Sequence, residues 1–178
     1  MPKSVSSLFI AQPGKPISLH KRDPRDSSAF SDKEATKALT IECAAAIDRL
    51  QDRLFAEGKR ALLVVLQGID CSGKDGTVRA VFNACGPIGV QVTPFKVPSE
   101  EERSHDYLWR VHKACPPRGM IGIFNRSHYE DVLVVKVRKF APADEIERRY
   151  EEINHFEKLL TDNGTRIQWP EPGGIRTL

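Results

Sequence analysis

The chain has 178 residues, 40% of them hydrophobic and 29% charged, and a formal net charge of +3. That suffices for one globular core and excludes disorder throughout. The charge mildly favours anionic partners but falls short of the concentrated basic face of a nucleic-acid binder, so phosphate-rich small molecules are expected and nucleic acid is not.

Residues 1–33 hold Pro13, Pro16 and Pro24 among serines and mixed charges, a composition that resists regular structure and reads as an irregular N-terminal arm. Gln12, Pro13, Gly14 and Pro16 break up its apolar stretch, so the layout of a signal peptide is missing. Over 34–57, Leu39, Cys43, Ala46, Ile47, Leu50 and Leu54 recur at helical steps, and Gly58 closes that helix. "ALLVVLQG" (61–68) is a continuous apolar run suited to a strand buried on both faces.

"GKDGTVRAVFNACG" changes to a helical period, and "GVQVTPF" (89–95) is a second strand. "SEEERSHDYLWRVHKAC" (99–115) reads as one helix with Ser99 and Glu102 forming a capping box, stopped by Pro116 and Pro117. "GMIGIFNRSH" supplies a third buried strand ending near Phe124. In "SHYEDVLVVKVRKF" a helix is expected, although its valines also suit a strand. Ile146, Tyr150, Ile153, Phe156 and Leu160 mark a last helix over 144–163, ended by Gly164. No apolar run reaches membrane-spanning length, and Cys43, Cys71, Cys85 and Cys115 show no metal or disulfide spacing, so a soluble cytoplasmic protein is expected.

Alternating strands and helices imply right-handed βαβ units and a parallel sheet covered on both faces, with ligands at the carboxyl ends of the strands. Gly68 and Asn125 fall at such ends. Gly68 to Lys74 matches the first seven positions of G-x-x-x-x-G-K-[ST] between a strand and a helix, the context in which that motif cradles phosphates. Its glycines let backbone N–H groups turn inward, the helix N-terminus adds its dipole, and Lys74 neutralises charge. The alternative is a glycine-rich turn that binds nothing. Asp75 stands where Ser or Thr is usual, and Asp70 lies inside the loop. A carboxylate there repels bare phosphates, so Mg2+ between them makes it intelligible; the other reading is a helix cap.

"LQGIDCSGKDGT", "PFKVPSEEERSHDYLWRVHK" and "RGMIGIFNRSHYEDVLVVKV" together resemble the polyphosphate kinase 2 family, in its branch of polyphosphate:nucleotide phosphotransferases, over residues 34–167. The resemblance implies an α/β protein: a three-layer α/β/α P-loop kinase-like fold with a parallel sheet, here lacking the C-terminal strand and lid. It implies transfer of a phosphoryl group between inorganic polyphosphate and a nucleoside mono- or diphosphate (AMP or ADP), Mg2+ as cofactor, and a homo-oligomer. By position, Asp70 would hold metal and orient the acceptor, and Lys74 the transferring group. Gly68, Ser72, Gly73, Asp75, Gly76 and Thr77 would complete the phosphate track.

Asn125 stands where many relatives carry Asp; it can coordinate Mg2+ through its carbonyl oxygen but cannot take a proton. Arg126 would fork onto phosphate oxygens, or else pair with Glu130 or Asp131 at the surface. Glu130 would assist metal or nucleotide binding. Lys96 and Arg110 are candidate substrate clamps or solvated charges. His105 and His112 share one face of the predicted helix, His128 shows no partner and is assigned no role, and Cys71 fills the loop.

After "LLTDNGTRI" the resemblance implies an apolar strand and a charged lid, whereas this chain continues "QWPEPGGIRTL". Its prolines and glycines exclude a strand beyond about Ile167. Residues 34–167 are thus expected to be an incomplete phosphotransferase core and 168–178 an aberrant tail, the mark of a truncated or frameshifted product. A catalytically silent polyphosphate- or nucleotide-binding remnant and an ATP-dependent P-loop nucleotide kinase remain as alternatives.

Overall fold

Asp32 opens the first helix: its carboxylate accepts from the Ala35 amide at 2.9 Å, and α1 (Lys33–Glu57) runs until Gly58 turns left-handed at φ 62°. The computed structural model describes residues 14–168 except 17, 19, 21, 22, 24, 25 and 31. Most of the expected arm and residues 169–178 of the expected tail lie outside these.

Strand β1 (Ala61–Leu66) leads through the glycine loop into α2 (Lys74–Phe82), then β2 (Val90–Pro94). Two short helices follow, α3 (Glu100–Ser104) and α4 (Trp109–Ala114), before β3 (Ile121–Asn125), α5 (Glu130–Arg138), α6 (Ala143–Asp162) and β4 (Thr165–Gln168). All four strands are parallel in the order β2-β3-β1-β4.

The alternation within β1 explains its unbroken apolar run. Leu63 and Val65 join Phe124 beneath Phe156 and Leu160 of α6, whereas Val64 and Leu66 join Ile121 and Ile123 against Leu54 of α1 and Val78 and Phe82 of α2. Both faces are therefore covered, giving three layers. The helix after β1 packs on one face and α6, which follows β3, on the other, so a crevice opens between the carboxyl ends of these two neighbouring strands.

The structure corrects the expected helix over 99–115. Its capping box forms, with Ser99 N–H donating to Glu102 at 2.8 Å and Glu102 N–H to Ser99 Oγ at 3.2 Å. His105 is then extended, and the Asp106 carboxylate accepts from Leu108 N–H at 3.0 Å. This side-chain turn competes with helix continuation. It separates α3 from α4 and sends Tyr107 to α6, where its hydroxyl donates to Glu152 at 3.0 Å.

The valine-rich segment is helical: Val132 is buried and Val135 partly so, while Leu133, Val134 and Val137 are exposed, a period of three rather than two. The last described strand is the short β4, with Ala61 opposite Thr165 and Val64 opposite Gln168; the stretch after about Ile167, where the further strand is expected to be missing, falls almost wholly outside the described residues. Backbone groups of four residues suffice for that pairing, and the first proline lies at position 170, beyond it.

Candidate functional site

The glycine loop is built by two local constraints. A Cβ on Gly68 would sit 2.6 Å from Ser72 Oγ, so the loop folds back tightly over a residue without a side chain, and Gly73 caps α2 at φ 87°. Ser72 N–H reaches Ile69 O at 3.2 Å, closing the turn. Cys71 sits there at φ 62°, exposed, a small residue filling the bend. Lys74 curls over the loop: its ammonium donates to the Gly68 and Ile69 carbonyls, both at 2.8 Å, and to Ser72 Oγ at 3.2 Å. Thr77 turns its hydroxyl onto Gly73 O at 3.1 Å, while Gly76 faces open space.

Across the crevice, β3 delivers Asn125 and Arg126. Asn125 Nδ2 donates to Asp75 Oδ1 at 2.5 Å, and the Arg126 guanidinium pairs with Asp70. That corrects the expected surface alternative for Arg126: its carboxylate is in the glycine loop, because Arg126 takes a left-handed φ of 63° at the strand end and its N–H bonds Leu66 O at 2.9 Å. The loop from Asp70 to Gly76, residues 94–97 from the end of β2 onward, and Asn125 with Arg126 surround one cavity of about 610 Å3. Lys96 is exposed on its wall.

A second cleft of about 880 Å3 adjoins it, sharing Asp70, Phe95, Lys96, Val97 and Arg126. Glu130 and Arg110 line this cleft. Glu130 is fixed by Gln67, whose Nε2 donates to it at 2.5 Å while Gln67 Oε1 accepts from Ser127 Oγ at 3.1 Å. Arg110 is not the solvated charge that was one reading of it. Its side chain is 8% exposed, 3.8 Å from both Glu102 and Asp131, over the Phe95 ring, with Nη1 donating to Lys96 O at 2.9 Å. Burial pushes the Asp131 carboxyl above the usual range, against the pull of Arg110 and Arg149.

Sequence reasoning missed three partners: Glu157, Tyr129 and Gln67. His128 is buried, with Nε2 3.1 Å from Glu157 Oε1, and Tyr129 donates its hydroxyl to that same oxygen at 2.5 Å. Gln67 is the third. A polar residue closing an apolar strand is the one signal that marked it. Glu157 had none, since it lies in an ordinary charged helix. His105 and His112 separate as well: His105 stacks on Trp109 and His112 meets Phe156 edge-on.

The oxygen donors here, Asp70, Asp75 and the amide of Asn125, are hard ligands and so fit a small divalent cation better than a soft metal. Among the described residues no three His, Cys, Asp or Glu side chains form a ready cluster, so such an ion would draw the rest of its ligands from phosphate and water. Among the described residues no helix is long and apolar enough to cross a membrane.

Comparison with known proteins bears on this geometry. The family model of polyphosphate kinase 2 matches residues 30–169. The chain is 48% identical over 163 residues to an AMP/ADP-polyphosphate phosphotransferase of Meiothermus ruber, covering 89% of this chain and 60% of that protein. It is 36% identical over 177 residues to an ADP-polyphosphate phosphotransferase of Rhodopseudomonas palustris, covering 93% and 61%. The crystal structure of polyphosphate kinase 2 from Arthrobacter aurescens TC1 superposes with a TM-score of 0.82 at 44% identity, over 93% of this chain and 59% of that one. The chain thus spans about 60% of the length of these relatives. With that match across the glycine loop, the crevice and all four strands, the chain belongs to the polyphosphate kinase 2 family, a family of phosphotransferases.

Proposed function

We propose that this chain carries out Mg2+-dependent phosphoryl transfer between inorganic polyphosphate and AMP or ADP. One observation carries the reading: Lys74, Asp70, Asp75, Asn125 and Arg126 surround a single cavity at the carboxyl ends of β1 and β3. The names of the relatives support it.

In this reading Asp70 and Asn125 hold Mg2+, which supplies charge neutralisation to the phosphates when bound. The glycine-loop amides and Lys74 bind the transferring group, phosphate oxygens replacing the carbonyls that Lys74 now meets. Arg126 exchanges its carboxylate for the same oxygens as a bidentate fork. Gly68, Ser72, Gly73 and Gly76 shape the track; Thr77 stiffens the helix start. Lys96 and Glu130, both facing the clefts, contact substrate, and Arg110 braces Lys96 from below. No general base is needed, because the attacking group is a phosphate oxygen with its second pKa near 6, and it is largely ionised at neutral pH. Catalysis is by positioning and electrostatics.

Purified chain with polyphosphate, Mg2+ and AMP or ADP should form the higher nucleotide. Turnover that requires ATP as donor and ignores polyphosphate would sink the reading. Binding without turnover is the second reading, favoured by the openness of the cleft: Asp70 is 82% exposed in its side chain, so water reaches the group to be transferred. A cytoplasmic location and self-association belong to the same proposal. Four free cysteines support the first, and exposed Ile69, Val97, Val137 and Phe140 around the cleft support the second. Sedimentation measures the latter.

A further inference from the structure

Arg126 occupies a left-handed conformation at φ 63°, costing about 1 kcal/mol or more for a residue with a side chain. Such strain persists where the surroundings over-determine it. Behind Arg126 the chain is anchored twice. From β1's end, Gln67 takes the Ser127 hydroxyl at 3.1 Å and the Glu130 carboxylate at 2.5 Å. From α6, one oxygen of Glu157 takes the Tyr129 hydroxyl at 2.5 Å and lies 3.1 Å from His128 Nε2.

We propose that Glu157 is a positioning residue: through His128 and Tyr129 it holds the turn from Arg126 to Glu130 so that both of those side chains face the phosphate cleft. The inference rests on the reading of that cleft as a phosphotransfer site. Four facts carry it. Ser127 and His128 are 0% and 1% exposed, so the two residues after Arg126 are driven inward while Arg126 and Glu130 line the cleft. The Glu157 side chain is 14% exposed, and a carboxylate so placed is costly without charge-assisted donors, which His128 and Tyr129 supply.

His128 Nδ1 has no hydrogen-bond partner among the described residues, so Nε2 and packing on the Tyr129 and Phe156 rings orient the imidazole. With Nε2–H donating to Glu157, Nδ1 is the bare acceptor nitrogen. Finally, Arg126 N–H is bonded to Leu66 O, which fixes the start of the turn, and Gln67 holds Ser127 and Glu130, so the middle at His128 and Tyr129 is the part that Glu157 grips.

The test uses the full chain and the variants Glu157→Ala, Glu157→Gln, Arg126→Ala and the double variant Glu157→Ala/Arg126→Ala. Two quantities are read: affinity for magnesium tripolyphosphate by calorimetry, and amide exchange over residues 126–130. Glu157→Ala should lose about tenfold in affinity, as should Arg126→Ala, and the double variant clearly less than the two losses combined, any excess over either alone being the share of Glu130. Glu157→Gln, which keeps an acceptor oxygen, should recover most of that loss. Exchange over 126–130 should quicken in Glu157→Ala while β1 and β3 stay protected.

Additive losses in the double variant, or unchanged exchange in the turn, overturn the proposal. Should Glu157→Ala fail to fold, Tyr129→Phe removes one of the two bonds and is expected to show a smaller loss of the same kind. If the unaltered chain binds no tripolyphosphate, the phosphotransfer reading falls; the exchange measurement then decides by itself whether Glu157 holds the turn.

Discussion

Asn125 and Asp75 are joined by a hydrogen bond of 2.5 Å that ties the end of β3 to the first turn of α2. The acid in the position of the usual loop hydroxyl is therefore paired with an amide rather than with a second acid. Replacing Asn125 by Asp puts two carboxylates where a donor met an acceptor, and like charges at that range disfavour joint ionisation. Asn125→Asp should lower the thermal midpoint by roughly 2–4 °C without divalent ions, and millimolar Mg2+ should restore it. Scanning calorimetry with and without Mg2+ decides; a loss that Mg2+ leaves untouched counts against metal binding between these groups.

Lys74 makes three bonds to its own loop, all with partners that phosphate oxygens can replace. Lys74→Ala should therefore cut turnover at least about 100-fold, the scale for removing one preorganised donor. Since two of those partners are backbone carbonyls that can turn to water, the thermal midpoint should hardly move. Steady-state assay and melting curve together separate the two effects.

Asp131 is an acid whose folded-state pKa lies above its unfolded one, owing to burial. The folded protein therefore holds that proton more tightly, and the associated stability, present below the unfolded pKa, is lost as pH rises through the folded pKa. Asp131→Asn removes this dependence. Its unfolding free energy should gain on that of the parent as pH rises from about 4, the ordinary carboxylate range, measured by urea titration. A constant offset over that rise would contradict the assignment.

Gly89 precedes β2 against a buried Gln51 of α1: a Cβ there would fall 1.4 Å from Gln51 Nε2. Gly89→Ala should cost about 1–3 kcal/mol by overpacking. Adding Gln51→Ala should return part of it, because the obstructing side chain is gone. Chemical denaturation of the single and double variants checks this.

The order of elements and the glycine loop were legible because they rest on short-range rules. The apolar run of β1 and the spacing of Ile146, Ile153 and Phe156 report burial on a fixed local geometry, and the Ser99 box and Gly58 stop are formed by neighbours in the chain. The break at Asp106 was harder to read. Helical periodicity survives across it in the sequence, while the side-chain turn and the reach of Tyr107 to Glu152 depend on α6 being alongside.

From the residues themselves came a parallel α/β sheet with a phosphate-type loop at the end of its first strand, since hydrophobic period and glycine placement act within a few residues. The meeting of Arg126 with Asp70, of Asn125 with Asp75, and of Glu157 with the turn behind them spans separations of 56, 50 and about thirty residues. Such pairings are settled by strand order and by which face each helix covers, and a carboxylate in a charged helix carries no local sign of the partner that folding will bring to it.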